Sequence, residues 1–341
     1  MPVAIFDGHN DVLIAPDHDH FVGGRGGGHL DLPRMQTAGM RGGIFAIFTP
    51  PPADVNRDPH ALPVPGPELG PRVSHEHAAA FSTAAAGRLH AWERAGALRI
   101  AREISDLDAS LAGAAPPAAV LSLEGAEAID PALESLEHWY ACGLRAVGPV
   151  WSRPNAFGTG APIYGPRDPD DGPGLTDGGK SLVGECSRLG IMVDLSHMNR
   201  TCFWDTARLE PGPLVASHSG AYSLSPSARN LTDDQIDEIG ATNGLIGIVF
   251  GSLFVRPDCQ PDPDTKLEQI AAHARYVADR IGVTHVALGS DFDGTIVPDS
   301  LGDVAGLPRL LAALADTGFT ANEIEMIAST NWRRVLAAWW G

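Results

Sequence analysis

Histidines and carboxylates follow short apolar runs at five separate places in this chain. The first is AIFDGHNDV, residues 4–12, where His9 and Asp11 stand two positions apart. In an extended chain, residues i and i+2 point to the same side, so both side chains can reach one point just past a strand end. A neutral imidazole and a carboxylate held that way suit a divalent metal ion such as zinc. A lone His-x-Asp pair is weak evidence, but the pattern recurs. AAVLSLEG (118–125) carries Glu124, IMVDLSH (191–197) ends in His197, PLVASH (213–218) ends in His218, and HVALGSDFDG (285–294) carries Asp291. Two metal ions a few ångströms apart need a bridging carboxylate, with histidines and carboxylates on either side. Glu124 suits the bridge, His9 and Asp11 suit one ion, and His197 and His218 the other.

The elements that must position these residues alternate along the chain. Apolar runs at 4–12, 42–50, 118–125, 144–151, 191–197, 213–218, 244–251 and 285–294 read as strands, and most are followed by helical segments. Near-continuous apolar runs fit strands buried on both faces of a parallel sheet. Strands alternating with helices at this length predict an α/β fold of the (β/α)8 TIM-barrel type. In such a barrel all strands end on one face, and the polar residues above would converge there. A doubly wound open sheet is the rival, but no glycine-rich phosphate turn follows a strand here.

The sequence reads as a single barrel domain over residues 1–341. A proline-rich excursion is expected at about 50–73 and a long loop at about 152–177. The glycine-dense stretch 17–32, which holds His18, His20 and His29, reads as a flexible loop over the mouth of the site. A helix is expected to begin with Pro131 in its first turn and to stop at Gly143. Another is expected to be capped by Thr232 and stopped by Gly240. The chain of 341 residues has 24 basic and 42 acidic side chains and a net charge of −18, which argues against nucleic acid and anionic membrane as partners. The cysteines Cys142, Cys186, Cys202 and Cys259 form no CxxC pair and suggest reduced thiols in a cytoplasmic protein. The first strand begins near residue 3, so no signal peptide is expected. No apolar run is long enough to span a membrane.

HND at 9–11, SLEGAEAI at 122–129, VDLSH at 193–197, SHSGAY at 217–222, SARNLTD at 227–233 and GSDFDG at 289–294 together resemble the membrane (renal) dipeptidase family of the amidohydrolase superfamily. The order and spacing extend over almost the whole chain, to NWRRVL near its end. The resemblance implies a metal-dependent hydrolase on a (β/α)8 barrel, with two divalent ions, most simply zinc. It also implies cleavage of a small dipeptide, with tolerance of a D-residue at the C-terminal position. By resemblance the ligands are His9, Asp11, Glu124, His197 and His218. Asp291 is similar to the family's acid/base aspartate, and Arg229 to the arginine that binds the substrate carboxylate. The resemblance further implies a homodimer, of a soluble bacterial type without the family's membrane anchor.

The chemistry of the residues agrees. Water held between two divalent ions loses a proton far more easily than bulk water. Asp291 could take that proton and later give it to the leaving amine. A planar guanidinium at Arg229 matches a carboxylate by two parallel hydrogen bonds, although a loop salt bridge to Asp233 or Asp234 would also use it. One position departs from the family pattern. Where a histidine usually helps polarise the scissile carbonyl, the chain has Trp151, whose indole has a single N–H donor. That moves oxyanion stabilisation towards a metal, Trp151, Arg153 or Asn155. It leaves open hydrolysis of N-acyl amino acids, lactams or lactones at the same centre. A non-catalytic binding protein on the same barrel is the remaining alternative.

Overall fold

The computed structural model describes residues 3–52, 69–169 and 172–341. Most of the expected proline-rich excursion, at 53–68, and positions 170–171 of the long loop lie outside the described residues. The strands are β1 (Ile5–Asn10), β2 (Met40–Phe48), β3 (Arg99–Ile100), β4 (Ala118–Glu124), β5 (Leu144–Gly148), β6 (Met192–Val193), β7 (Val215–Ser219), β8 (Leu245–Ile248) and β9 (Val286–Leu288). All ladders are parallel. One sheet runs β1-β2-β4-β5-β6, with β3 paired beside β4, and a second runs β7-β8-β9. Single parallel bridges, Asp194↔Val215 and Asn10↔Phe292, join the two sheets at both seams. The result is the closed ring β1-β2-β4-β5-β6-β7-β8-β9 of a (β/α)8 barrel.

The apolar runs form this barrel because helices cover its outer face and side chains fill its interior. Every residue of β1, β4, β5, β7 and β8 is buried, as expected for parallel strands covered on both sides. The interior is tight enough that a Cβ on Gly247 or Gly289 would overlap the Ser217 carbonyl. The helix Asn331–Trp340 locks the closing seam: the Trp332 indole lies 5.8 Å from Phe6, and its N–H donates to the Leu288 carbonyl at 2.9 Å. Among the described residues no helix is long and apolar enough to cross a membrane.

Several elements differ from the sequence expectation. β6 and β9 are only two and three residues long. His197 and Asp291 therefore stand beyond the strands, in turns with φ of 69° and 59°. The helix expected from Pro131 covers only Leu136–Ala141. Asp130 organises the preceding turn by accepting hydrogen bonds from the backbones of Ala132, Glu134 and Ser135. Gly240 does not stop its helix, which runs Asp233–Ala241, although Thr232 does cap it through a capping box with Gln235. The glycine-dense stretch is pinned rather than loose. Buried Arg25 donates to Asp17, Asp293 and the Leu30 carbonyl, and the His29 N–H donates to Asp293.

His273, in the helix Leu267–Ile281, ties this scaffold to the loop after β7. Its Nδ1 accepts the Ala221 N–H at 2.9 Å and its Nε2–H donates to the Val255 carbonyl at 3.2 Å, so the neutral ring is fully satisfied. Burial pushes its pKa down from 6.5 to about 4. The unfolded chain therefore binds a proton that the folded chain refuses, and stability falls as pH drops from about 6.5 to about 4. The loss attributable to His273 is roughly 3 kcal/mol. Chemical denaturation across this window is expected to show a slope that His273→Gln reduces by the His273 share, with the contribution of other buried groups such as His197 remaining.

Candidate metal centre

The seam between β1 and β9 sets the first part of the site. The Asp291 N–H donates to the His9 carbonyl at 3.0 Å, and the Asp11 N–H to the Phe292 carbonyl at 2.8 Å. These two bonds hold His9, Asp11 and Asp291 side by side. Asp7 clamps the same turn, accepting the Ser290 N–H and hydroxyl, each at 2.7 Å. Glu124 is the last residue of β4, and His218 sits within β7 with its ring 3.8 Å from that of His9.

All these side chains point inward and meet. Glu124 Oε1 lies 2.8 Å from His197 Nε2 and 3.4 Å from His218 Nε2, while Oε2 lies 3.6 Å from His9 Nε2. The two histidine Nε2 atoms are 3.1 Å apart, and His9 Nε2 is 3.6 Å from Asp11 Oδ2. His9, Glu124 and His218 form one group of donors within 4.8 Å of one another, and His9, Asp11 and Asp291 form another. His9 Nδ1 and Nε2 and Asp11 Oδ1 are buried with no hydrogen-bond partner among the described residues. Unpaired buried polar atoms are costly, and a cation between them removes the cost.

Neighbours fix the orientation of the rings. His197 Nδ1 is 2.8 Å from Ser152 Oγ, and His218 Nδ1 is 2.8 Å from Ser217 Oγ. Ser217 donates its own proton to Asp194, so its oxygen is left to accept Nδ1–H of His218. For His218 this relay favours the tautomer that turns the Nε2 lone pair into the centre, the arrangement typical of metal-bound histidines, and the Ser152 contact can support the same tautomer at His197. Electrostatics point the same way. Burial opposes charge on His9, yet Glu124 and Asp11 pull its pKa well above the usual value, so the pocket favours positive charge there. Burial would raise Glu124, but His9 and His197 hold it well below the usual carboxylate range. Burial, and then Asp11, pushes Asp291 well above that range. Burial and Glu124 bring Asp11 to about 6.

The residues expected on the substrate side separate. Arg229 is buried beside the centre and makes no salt bridge with Asp233 or Asp234, which pair with Arg280 and Arg200. Its guanidinium donates to Ser219 Oγ at 2.9 Å and to the His218 carbonyl at 2.8 Å. Burial lowers its pKa to about 10, with Asp291 the first charge opposing that fall. Trp151 is half-buried, its ring 5.7 Å from that of His197. Asn155 shapes its own loop: one amide N–H donates to the Pro149 carbonyl, and its Oδ1 accepts the Phe157 and Gly158 N–H groups. Arg153 is fully buried and points away from solvent.

Sequence reasoning missed the residues that support the centre, namely Asp7, Ser152, Asp194, Ser217 and Gly294. Ser217 and Asp194 did lie inside the quoted motifs, adjacent to or three residues from a metal-type histidine. Gly294 has no side chain to notice, yet a Cβ there would overlap Asp11 Oδ2 and crowd Asp291 Oδ1. Gly294→Ala is therefore expected to weaken divalent-metal binding by roughly 10- to 100-fold, as read by calorimetric titration of the metal-free protein.

A family model described as "Membrane dipeptidase (Peptidase family M19)" matches residues 2–339. An "Uncharacterized protein in pqqA 5'region" of Klebsiella pneumoniae is 45% identical over 65% of this chain and 82% of its own length. A solved structure of "the dipeptidase AC", a metallo peptidase of family M19, superposes with a TM-score of 0.92 at 40% identity over 100% of both chains. A metallo peptidase from Rhodobacter sphaeroides, liganded with a phosphinate mimic of the dipeptide L-Ala-D-Ala, superposes equally well at 40% identity over 99% of both chains.

Proposed function

The chain belongs to the membrane dipeptidase family, peptidase family M19, and from that premise we propose that it is a zinc-dependent dipeptidase for small dipeptides, including L-Xaa-D-Xaa. The observation that carries the substrate reading is Arg229. It is a buried guanidinium beside the metal centre, anchored to neutral oxygens, with Nε unpartnered among the described residues. Asp291 and Glu124 lie within electrostatic reach, but no carboxylate is hydrogen-bonded to the guanidinium, and a buried cation held only by neutral oxygens is unfavourable. The terminal carboxylate of a dipeptide supplies that anion in the geometry a guanidinium favours. A fixed carboxylate anchor also measures length, which separates a dipeptidase from an endopeptidase.

His9, Asp11, Glu124, His197 and His218 would hold two divalent ions, with Glu124 shared between them. Such ions acidify a water molecule and polarise the scissile carbonyl. Among the chain's own groups, Asp291 takes a proton from the attacking water and returns it to the leaving amine nitrogen. Ser152, Ser217 and Asp194 keep the imidazoles facing inward. Zinc suits the N/O donor set. The cysteines form no disulfide, in keeping with a cytoplasmic enzyme, and the homodimer of the family resemblance belongs to the same reading.

Arg229→Met is expected to raise KM for L-Ala-D-Ala by about 10- to 150-fold, the value of a charge-assisted anchor of about 1.5–3 kcal/mol. It should leave cleavage of a dipeptide amide, which lacks the carboxylate, little changed. An equal loss on both substrates would remove Arg229 from carboxylate binding. Faster hydrolysis of N-acyl amino acids or lactones than of any dipeptide would instead favour the alternative that Trp151 raises.

A further inference from the structure

Arg153 is the largest polar side chain in the fully buried set, and the centre described above does not use it. Its Nε donates to Glu127 Oε1 at 2.6 Å and its Nη2 to the Thr49 carbonyl at 2.9 Å. Thr49 follows β2, Glu127 follows β4, and Arg153 follows β5. One guanidinium thus ties three neighbouring loops on the face that carries the metal-type residues. It also lies against two aromatic rings, 4.9 Å from Phe48 and 5.4 Å from Trp151. Those rings sit 4.5 Å from each other, both half-buried, and Trp151 reaches His197. Burying an ion pair is costly, so such a pair supplies placement more than stability.

In the closed barrel β2, which ends in Phe48, stands across from β7, and β7 anchors Arg229 through Ser219 and His218. Trp151, which follows β5, packs on Phe48 and lies 5.7 Å from the His197 ring, between Phe48 and the β7 side of the centre. On the reading of Arg229 as carboxylate anchor, a dipeptide crossing the mouth would bring its amino-terminal residue towards Phe48 and the Trp151 packed on it. We propose that Arg153 and Glu127 are positioning residues that set Phe48 and Trp151 as a wall limiting the size of the substrate's amino-terminal side chain. This rests on the dipeptidase reading and on Arg229 as the carboxylate anchor. Glycine and alanine fit against such a wall, whereas leucine and phenylalanine must displace it. A misplaced wall loses selectivity without losing the metal-type residues.

The test is steady-state kinetics of the metal-loaded enzyme on two series. In one, the amino-terminal residue is Gly, Ala, Leu or Phe ahead of a constant D-Ala; in the other, L-Ala precedes a varied C-terminal residue. Wild type is expected to lose about tenfold or more in kcat/KM from Ala to Leu in the first series. Trp151→Ala, Arg153→Met and Glu127→Gln should each shrink that ratio at least threefold, on the order of 0.7 kcal/mol, with the ratios among substrates of the second series unchanged even if overall kcat/KM falls. Arg153→Lys should restore part of it. Phe48→Ala, which leaves the buried pair intact, gives the same readout if Arg153→Met fails to fold. Unchanged ratios in Trp151→Ala and Phe48→Ala, or equal changes in both series, would overturn the inference. If metal-loaded wild type cleaves no dipeptide, the dipeptidase reading fails first and independently.

Discussion

Asp291→Asn is expected to lower kcat by about 100- to 10,000-fold with little change in KM, the range for loss of a general acid–base group. The substitution is well matched to the site. Asp291 has φ of 59°, a conformation that asparagine tolerates better than most residues. Its backbone bond to the His9 carbonyl and the Asp7–Ser290 clamp do not involve the carboxylate that is lost. Asparagine cannot accept and return a proton at neutral pH, so the fold persists and proton transfer does not. Asp291 also falls in one of the two donor groups with His9 and Asp11, so metal content must be measured on the same preparation. Retained metal with lost turnover assigns proton transfer. Lost metal would assign Asp291 as a ligand instead.

Glu124→Ala is expected to act more broadly. Glu124 is the carboxylate within 3.6 Å of His9, His197 and His218. Without it His197 and His218 lose the only carboxylate placed against their Nε2 atoms among the described residues, and Asp11 remains beside His9 alone. On the proposed two-ion reading the several kcal/mol that bound metal would supply is lost with it, which corresponds to a loss of at least about 1,000-fold in kcat/KM. Circular dichroism should remain that of the wild type, because Glu124 ends β4 and its main chain pairs independently of its side chain.

How much of this was legible in the sequence follows from particular residues. His9, Glu124 and His218 lie inside or at the end of strands, where an apolar run and a period of two locate them directly. His197 and Asp291 lie in left-handed turns beyond β6 and β9, and no periodicity describes a residue at φ of 69° or 59°. The structure still brings them to the centre, because a parallel barrel gathers whatever follows its strands onto one face. Partnerships across long sequence separations were not legible. Arg25 meets Asp293 across 268 positions and so pins a glycine-dense stretch that composition alone reads as loose. Asn155 was named for the substrate side by its nearness to Trp151 in sequence, whereas its role in holding the loop, through Pro149, Phe157 and Gly158, was not legible. Arg229 had two sequence neighbours able to neutralise it. Other arginines claim both, leaving its charge beside the centre.

The central claim is a shared two-ion centre that hydrolyses dipeptides. The most direct test is metal content per chain, by elemental analysis of the zinc-loaded protein, with L-Ala-D-Ala hydrolysis measured on the same sample. The account expects about two zinc ions per chain and cleavage that a chelator abolishes and zinc restores. A protein that takes up no metal, or that binds two ions and leaves every dipeptide intact, would contradict it.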